Sequence, residues 1–384
     1  MTTGLVFGYK KADGGTQLFR GTAEPPPPAT GAPRIRLTGL VGRTRAQTTT
    51  EQAWITAGAT GGFSVVEVNW SGVQPTRGAL SSARVTSLHA DFDWAESLGL
   101  PVHLRVMCGG DAPTWAKALG GGPLPWEQND ATTGGAWEPL PGGIGNWTAP
   151  AYWDAYEDLQ VRLAAEFGDE AMLAAVTMSL PMTNYAEPCI KEYTSPANRA
   201  AAKAAGTTTA KDLASFSRGW AIHKAVWSPH DVATSTAFNT HQGLTAGGAL
   251  EASMARTTAL MDEMRTTIGD QLTIWENNSL MALDTSMATM YDKMKAAHAA
   301  DGITLHFQTR TVAKHRKAWE GGKKTSPLKT FELAIARGAQ SCEVPAGGFN
   351  TGLATDGTTI MWPEISLVQA ADLNARLAAN VEVI

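Results

Sequence analysis

The sequence predicts a closed (β/α)8 barrel, a TIM barrel of class α/β, on three observations. The chain has 384 residues, enough for one large barrel with long loops. From residue 34 onward, short apolar runs alternate with longer amphipathic ones, and the beat repeats eight times. Parallel strands joined by helical crossovers follow from that alternation.

The eight strand candidates are 35–41, 63–70, 102–108, 173–180, 232–240, 271–277, 303–309 and 339–344. Helices are expected at 82–98, 151–167, 210–227, 251–267, 286–300 and 327–337. Leu159, Leu163 and Phe167 recur every four residues, as do Leu260, Met264 and Ile268, which is helical spacing. Gly99, Gly168, Gly302 and Gly338 stand where helices should stop. An open doubly wound sheet is the competing architecture. It usually carries a Gly-rich phosphate turn after its first strand, and Gly39-Leu40-Val41-Gly42 is not that turn.

Several strands carry polar residues at alternate positions. Glu67 and Asn69 share a face, as do His103 and Arg105, His306 and Gln308, and Ser341 and Glu343. Parallel strands buried on both faces normally read as almost pure Val, Ile and Leu. The polar face is therefore expected to line the barrel interior near its mouth, hydrogen-bonded within itself. Glu67 and Arg105, on neighbouring strands, can pair. Whether this network is structural or faces a ligand is open at this stage.

Residues 1–33 differ from the rest and read as an N-terminal arm with a Pro-rich linker, leaving 34–384 for the barrel. A hairpin is expected around Asp13-Gly14-Gly15. Pro25 to Pro28 favour a stiff polyproline II spacer.

Composition narrows the partners. Hydrophobic residues make up 43% and charged residues 17%, which excludes global disorder. A net charge of -5 without basic runs argues against nucleic acid and anionic membranes. No apolar run approaches about 18 residues, so membrane insertion is not expected. The N-terminus lacks the pattern of a signal peptide. Three scattered cysteines, Cys108, Cys189 and Cys342, read as small buried hydrophobes, and neither a disulfide framework, a metal nor a cofactor is expected. Tryptophan is abundant, with 13 against 10 Phe and 6 Tyr. Trp115, Trp126, Trp137 and Trp147 fall in Gly/Pro-rich stretches, where an indole either offers a face to sugar C–H groups or plugs the loop onto the barrel.

Barrel enzymes keep reactive groups at the C-terminal strand ends. Glu187 after the fourth strand, Glu276 ending the sixth and Glu343 in the eighth fit that place, and Asp111 after the third is a weaker candidate. Val68-Asn69-Trp70-Ser71-Gly72-Val73-Gln74-Pro75 resembles the second-strand motif of clan A glycoside hydrolases, above all the β-galactosidase-like barrels. So do His103-Leu104-Arg105-Val106 and Ala112-Pro113-Thr114-Trp115. The resemblance spans roughly 34–345 and is specific over 65–115. It implies a general acid/base glutamate after the fourth strand, and Glu187-Pro188 matches in place, although Asn184 stands three residues upstream instead of adjacent. It also implies a nucleophilic glutamate ending the seventh strand. Leu305-His306-Phe307-Gln308-Thr309-Arg310 has none there, so the partner carboxylate would be Glu276 or Glu343. Substrate contacts are expected from Asn69, Trp70, Arg105, Trp115, Asn184, His241 and Trp275, gathered at one mouth with a wall formed by 109–150.

Two functions are open. One is a free-standing glycosidase. The other is a glycan-binding barrel carried on a larger particle through residues 1–33. An Ala/Gly/Thr-rich, signal-less barrel with a small adaptor is similar to minor tail proteins of phages that infect actinobacteria. That similarity implies a virion tail location and cell-surface polysaccharide and tail proteins as partners, against a cytoplasmic location for a free enzyme.

Overall fold

The computed structural model describes residues 7–10, 16–19, 31–42, 63–129, 136–180, 187–188, 190, 192–283, 285–310, 312–318, 321–322, 325–344 and 367–380. Eight parallel strands form one curled sheet: β1 (Gly39–Val41), β2 (Phe63–Asn69), β3 (Val102–Met107), β4 (Leu173–Thr177), β5 (Ala233–Ala237), β6 (Thr273–Leu280), β7 (Thr304–Thr309) and β8 (Ser341–Glu343). The hydrogen-bonded order is β1-β8-β7-β6-β5-β4-β3-β2. The last strand, β8, returns to pair with β1, with Ser341 opposite Gly39 and Glu343 opposite Val41, and β1 and β2 stand at the two ends of this curled ladder among the described residues. All eight expected strands are present.

The crossovers are α1 (Ser82–Ser97), α2 (Pro150–Phe167), α3 (Thr209–Trp227), α4 (Met254–Ile268), α5 (Ala288–Asp301) and α6 (Pro327–Ala336). A further helix, α7 (Leu367–Ala379), was not expected from the pattern; it covers β1, and its Asn374 side chain accepts from the Leu40 N–H at 2.8 Å. Ser81, Thr208, Ser253 and Ser326 cap their helices by accepting an N–H three residues on, each stabilising by about 1 kcal/mol. The fourth helix begins later than the sequence implies. Residues 250–253 instead pair with His241–Leu244 in an antiparallel hairpin.

Gly99, Gly302 and Gly338 adopt left-handed φ at their helix ends, as expected. Gly168 does not; it stays right-handed. A Cβ there would lie 2.7 Å from the His230 ring, so its small size serves close packing instead.

The apolar strand positions face outward onto the helices. Leu104, Val106, Val176, Trp275, Leu305, Phe307 and Cys342 join one cluster with Phe92, Phe167, Trp220, Met264, Met294 and Phe331. Phe92 and Phe167 stack at 5.7 Å between α1 and α2. Cys108 and Cys342 are buried free thiols, as expected of them, and burial pushes the Cys108 thiol up to about 12; Cys189 lies outside the described residues.

The described residues of the expected wall, 109–129 and 136–150, include ordered pairings. Glu127–Asn129 pairs with Trp137–Pro139, and Leu124 bridges Ile144. Trp126, Trp147, Ile144 and Leu124 are buried and join the main core. Trp147 donates to Asp212 on α3 at 3.1 Å, and the Glu127 N–H donates to Asn198 at 2.7 Å. These parts of the wall are thus built into the barrel's packing. Two of its tryptophans plug the loop, whereas Trp115 and Trp137 stay half-buried.

The arm residues Phe7–Lys10 and Thr16–Phe19 pair antiparallel, with Phe7 opposite Phe19, as the turn residues predict. The Pro25–Pro28 spacer lies outside the described residues. Among the described residues no helix is long and apolar enough to cross a membrane.

Candidate active site

The alternation that places Leu104 and Trp275 outward places His103, Arg105 and Glu276 inward. The interior is consequently polar along much of its length. At one level His103 Nε2 lies 2.7 Å from Thr177 Oγ1 and 2.8 Å from Ser235 Oγ, and its ring meets His306 edge-on at 5.5 Å. His306 Nδ1 in turn lies 2.8 Å from Ser341 Oγ. Burial, then the neighbouring His306 and Arg105, hold His103 well below the ordinary imidazole range.

Next to it lies a charged level. Arg105 Nη2 donates to Glu343 Oε2 at 2.9 Å and to Glu276 Oε1 at 3.2 Å. Its Nη1 lies 3.6 Å from Glu67 Oε1, the pairing expected between β2 and β3. Burial opposes the guanidinium's charge, but Glu343 and Glu276 outweigh it and raise Arg105 above its ordinary value. Exposure grades along this chain: the Glu276 and Glu343 side chains are 0% exposed, Arg105 2% and Glu67 46%. The network therefore runs from a sealed centre to the solvent at Glu67.

The mouth has its own carboxylates. Asp111 sits in the 3-10 turn Gly109–Asp111 that ends β3. Burial raises its pKa, Lys117 opposes this, and the Glu67 charge adds to it. Lys117 is buried and donates from Nζ to the Gly110 carbonyl at 2.6 Å. Asn69 is exposed at the end of β2, and Glu187 is half-buried on the loop after β4.

The expected mouth residues divide by where the strands and loops place them. Asn69, Trp115 and Glu187 belong to loops or strand ends on that side. Glu276 and Glu343 come together, but inside the barrel with no exposed surface, because Arg105 draws both inward. Trp70 and Trp275 are corrected. Trp275 precedes the inward Glu276 and so faces the helices, fully buried. Trp70 opens a short helical turn, donates to Gln74 Oε1 at 2.8 Å and stacks on Tyr152 at 5.8 Å, also fully buried. Neither ring has a face free for a sugar. His241 is likewise buried against Phe216 and receives a hydrogen bond from Arg256 Nε at 3.3 Å. Burial, and secondarily Arg256, lower its pKa to about 4, and it offers no open ligand contact. Arg105 is a carboxylate clamp and not a surface contact. Asn184 lies outside the described residues. The Glu67–Arg105 pairing follows from neighbouring strands, but the reach of Arg105 to β6 and β8 and the His103–His306 contact do not, since both depend on which strands face each other across the curled sheet.

No protein-family model and no curated protein matches the chain. Among solved structures, the catalytic domain of β-amylase from Paenibacillus polymyxa aligns with a TM-score of 0.51 at 10% identity, covering 89% of this chain and 100% of that one. Endo-glycoceramidase II from Rhodococcus sp., as a lactosyl-enzyme intermediate, aligns at TM-score 0.48 and 16% identity, over 88% of this chain and 78% of that one. An endogalactoceramidase aligns at TM-score 0.43 and 15% identity, over 90% and 80%. The β-amylase likeness is one of fold: an α/β barrel with eight parallel strands.

Proposed function

We propose that this barrel binds glycan at the C-terminal ends of its strands, as the recognition module of a larger particle. The observation that carries the reading is the mouth itself: a half-exposed Glu67 braced by Arg105, an exposed Asn69, a half-buried Asp111 and a half-buried Trp115. Trp115 packs edge-on against Trp70 at 6.2 Å and donates to the Gln74 carbonyl at 3.3 Å, which fixes its ring on a buried aromatic base. A rigid aromatic with a few convergent polar groups is what sugar recognition requires. Carriage on a particle, such as a phage tail with cell-surface polysaccharide as the target, rests on the arm. Its hairpin is too small to be stable alone and so needs a supporting surface.

Hydrolysis is the second reading, and Asp111 favours it. A carboxyl raised by burial beside a second, solvent-facing carboxylate is the setting for a proton donor. Glu187 remains the proposed acid/base that the family resemblance implies. Glu276 and Glu343, sealed and clamped, are not proposed to meet substrate. The test is a glycan array probed with the full chain, followed by reducing-end assays on every ligand that binds. Binding without turnover fits the first reading and turnover the second. Absence of binding to any array glycan overturns both.

A further inference from the structure

We propose that the sealed centre of the barrel is a site for one divalent transition-metal ion, held by Glu276, His306 and Glu343. These residues sit on the adjacent strands β6, β7 and β8, with Glu276 opposite His306 and Glu343 opposite Gln308 in the ladders. All three are fully buried, and one donor atom from each lies within 4.8 Å of those of the other two.

Each ligand is held by a neighbour at one atom. Ser341 engages His306 Nδ1, which leaves Nε2 as the inward nitrogen, 4.0 Å from Glu343 Oε2. Arg105 engages Glu276 at Oε1 and Glu343 at Oε2. His306 Nε2 and Glu276 Oε2 are buried without a hydrogen-bond partner among the described residues. Outer partners that fix the tautomer of a ligating histidine and brace ligating carboxylates are the usual surroundings of a bound metal. A gap of 4.0 Å is too long for a hydrogen bond, so His306 and Glu343 do not satisfy each other directly.

Charge points the same way. The sealed carboxylates of Glu276 and Glu343 share the Arg105 guanidinium, while Glu67 reaches solvent. A divalent cation between two buried carboxylates offsets the charge that burial otherwise penalises. Two carboxylates and one imidazole suit manganese, iron, cobalt or zinc better than calcium or magnesium. With bonds of about 2.0–2.2 Å, neighbouring donors stand roughly 3–3.4 Å apart, so small side-chain rotations close the site. Because the ligands are sealed, the ion enters as the chain folds.

The test uses tag-free full-length chain. Metal content is measured as purified, and chain unfolded in urea with chelator is refolded with Co2+ or Zn2+ alone. The expected result is one equivalent per chain, visible Co2+ absorption from mixed nitrogen and oxygen ligands, and a raised Tm. His306→Gln and Glu276→Gln should each lose the bound ion. Ser341→Ala, which keeps all three ligands, should weaken binding roughly 10- to 100-fold. If His306→Gln fails to fold, the wild-type Co2+ spectrum and the Ser341→Ala titration decide. No ion in wild-type chain by either route, or one-equivalent binding unchanged in Ser341→Ala and Glu276→Gln, overturns the site. Glycan binding plays no part in this readout, so its outcome is independent of the functional reading.

Discussion

Arg105 on β3 reaches across the barrel to Glu343 on β8, with Nη2 2.9 Å from Oε2, and both side chains are buried. Replacing Arg105 with Met leaves two sealed carboxylates without their clamp. We expect a loss of about 3–5 kcal/mol in urea unfolding, because stranded buried charge is the costly outcome. Arg105→Lys should recover little of it, since one ammonium cannot span Glu67, Glu276 and Glu343. Adding Glu276→Gln and Glu343→Gln to Arg105→Met should recover much of it; an equally unstable triple variant would refute the electrostatic account.

Asp212 on α3 gives a pH prediction. It is almost fully buried, accepting from Trp147 Nε1 at 3.1 Å and Tyr193 Oη at 3.2 Å. Burial raises its pKa to about 7, against the two hydrogen bonds. A carboxyl raised on folding binds its proton more tightly in the native state. Its contribution is full below the unfolded value of about 4 and is lost as pH rises through about 7. The buried His223, lowered by burial to about 3, acts oppositely, favouring the native state above the unfolded imidazole value. Subtracting the stability of Asp212→Asn from that of wild type isolates the carboxyl. The difference should fall steadily from pH 4 to 7; a flat difference would remove Asp212 as the cause.

The two neighbouring tryptophans should separate stability from recognition. Trp70→Ala empties a fully buried site and should cost about 3–5 kcal/mol. Trp115→Ala, at a half-buried ring, should cost less stability. On the proposed reading it weakens glycan binding by about 1 kcal/mol, roughly fivefold in Kd. Urea midpoints and glycan titrations of both variants check this pattern.

Gly219 lies on α3 where it crosses β4. A Cβ there would approach within 2.9 Å of Met178 Sδ and still closer to Leu180 Cδ2. Gly219→Ala, normally favourable in a helix, should instead destabilise by about 1–3 kcal/mol through overpacking. Thermal unfolding with a Tm at or above wild type would show that the helix shifts freely.

Deleting 120–146 should prevent stable folding, because it strips Trp126 and Ile144 from the core and uncovers Tyr152 beneath Gly145. A soluble deletion variant with a native unfolding transition would show that this segment is a detachable wall.

The barrel was legible because strand and helix periods differ and because eight repeats fit the length. The polar interior was legible too, from alternation in 103–105 and 341–343. The same alternation separates Trp275 from Glu276, since consecutive strand residues face opposite sides. Helix α7 escaped because it follows 345–366, which carry no strand-and-turn beat. The grouping of Glu276, His306 and Glu343 has no spacing signature, as each ligand comes from a different strand and only the adjacency of β6, β7 and β8 brings them together.

The hydrogen bond from Leu40 to Asn374 joins positions 334 residues apart. During synthesis, β1 leaves the ribosome early but waits for β8 and α7 before both its ladder and its cover exist. The β1–β8 ladder is therefore the last and most distant pairing to form, and such non-local pairing slows the final step. Until then β1 is an unpaired strand open to chaperones and proteases, so a nascent chain stalled before residue 341 carries every crossover helix from α1 to α6 and still has no barrel.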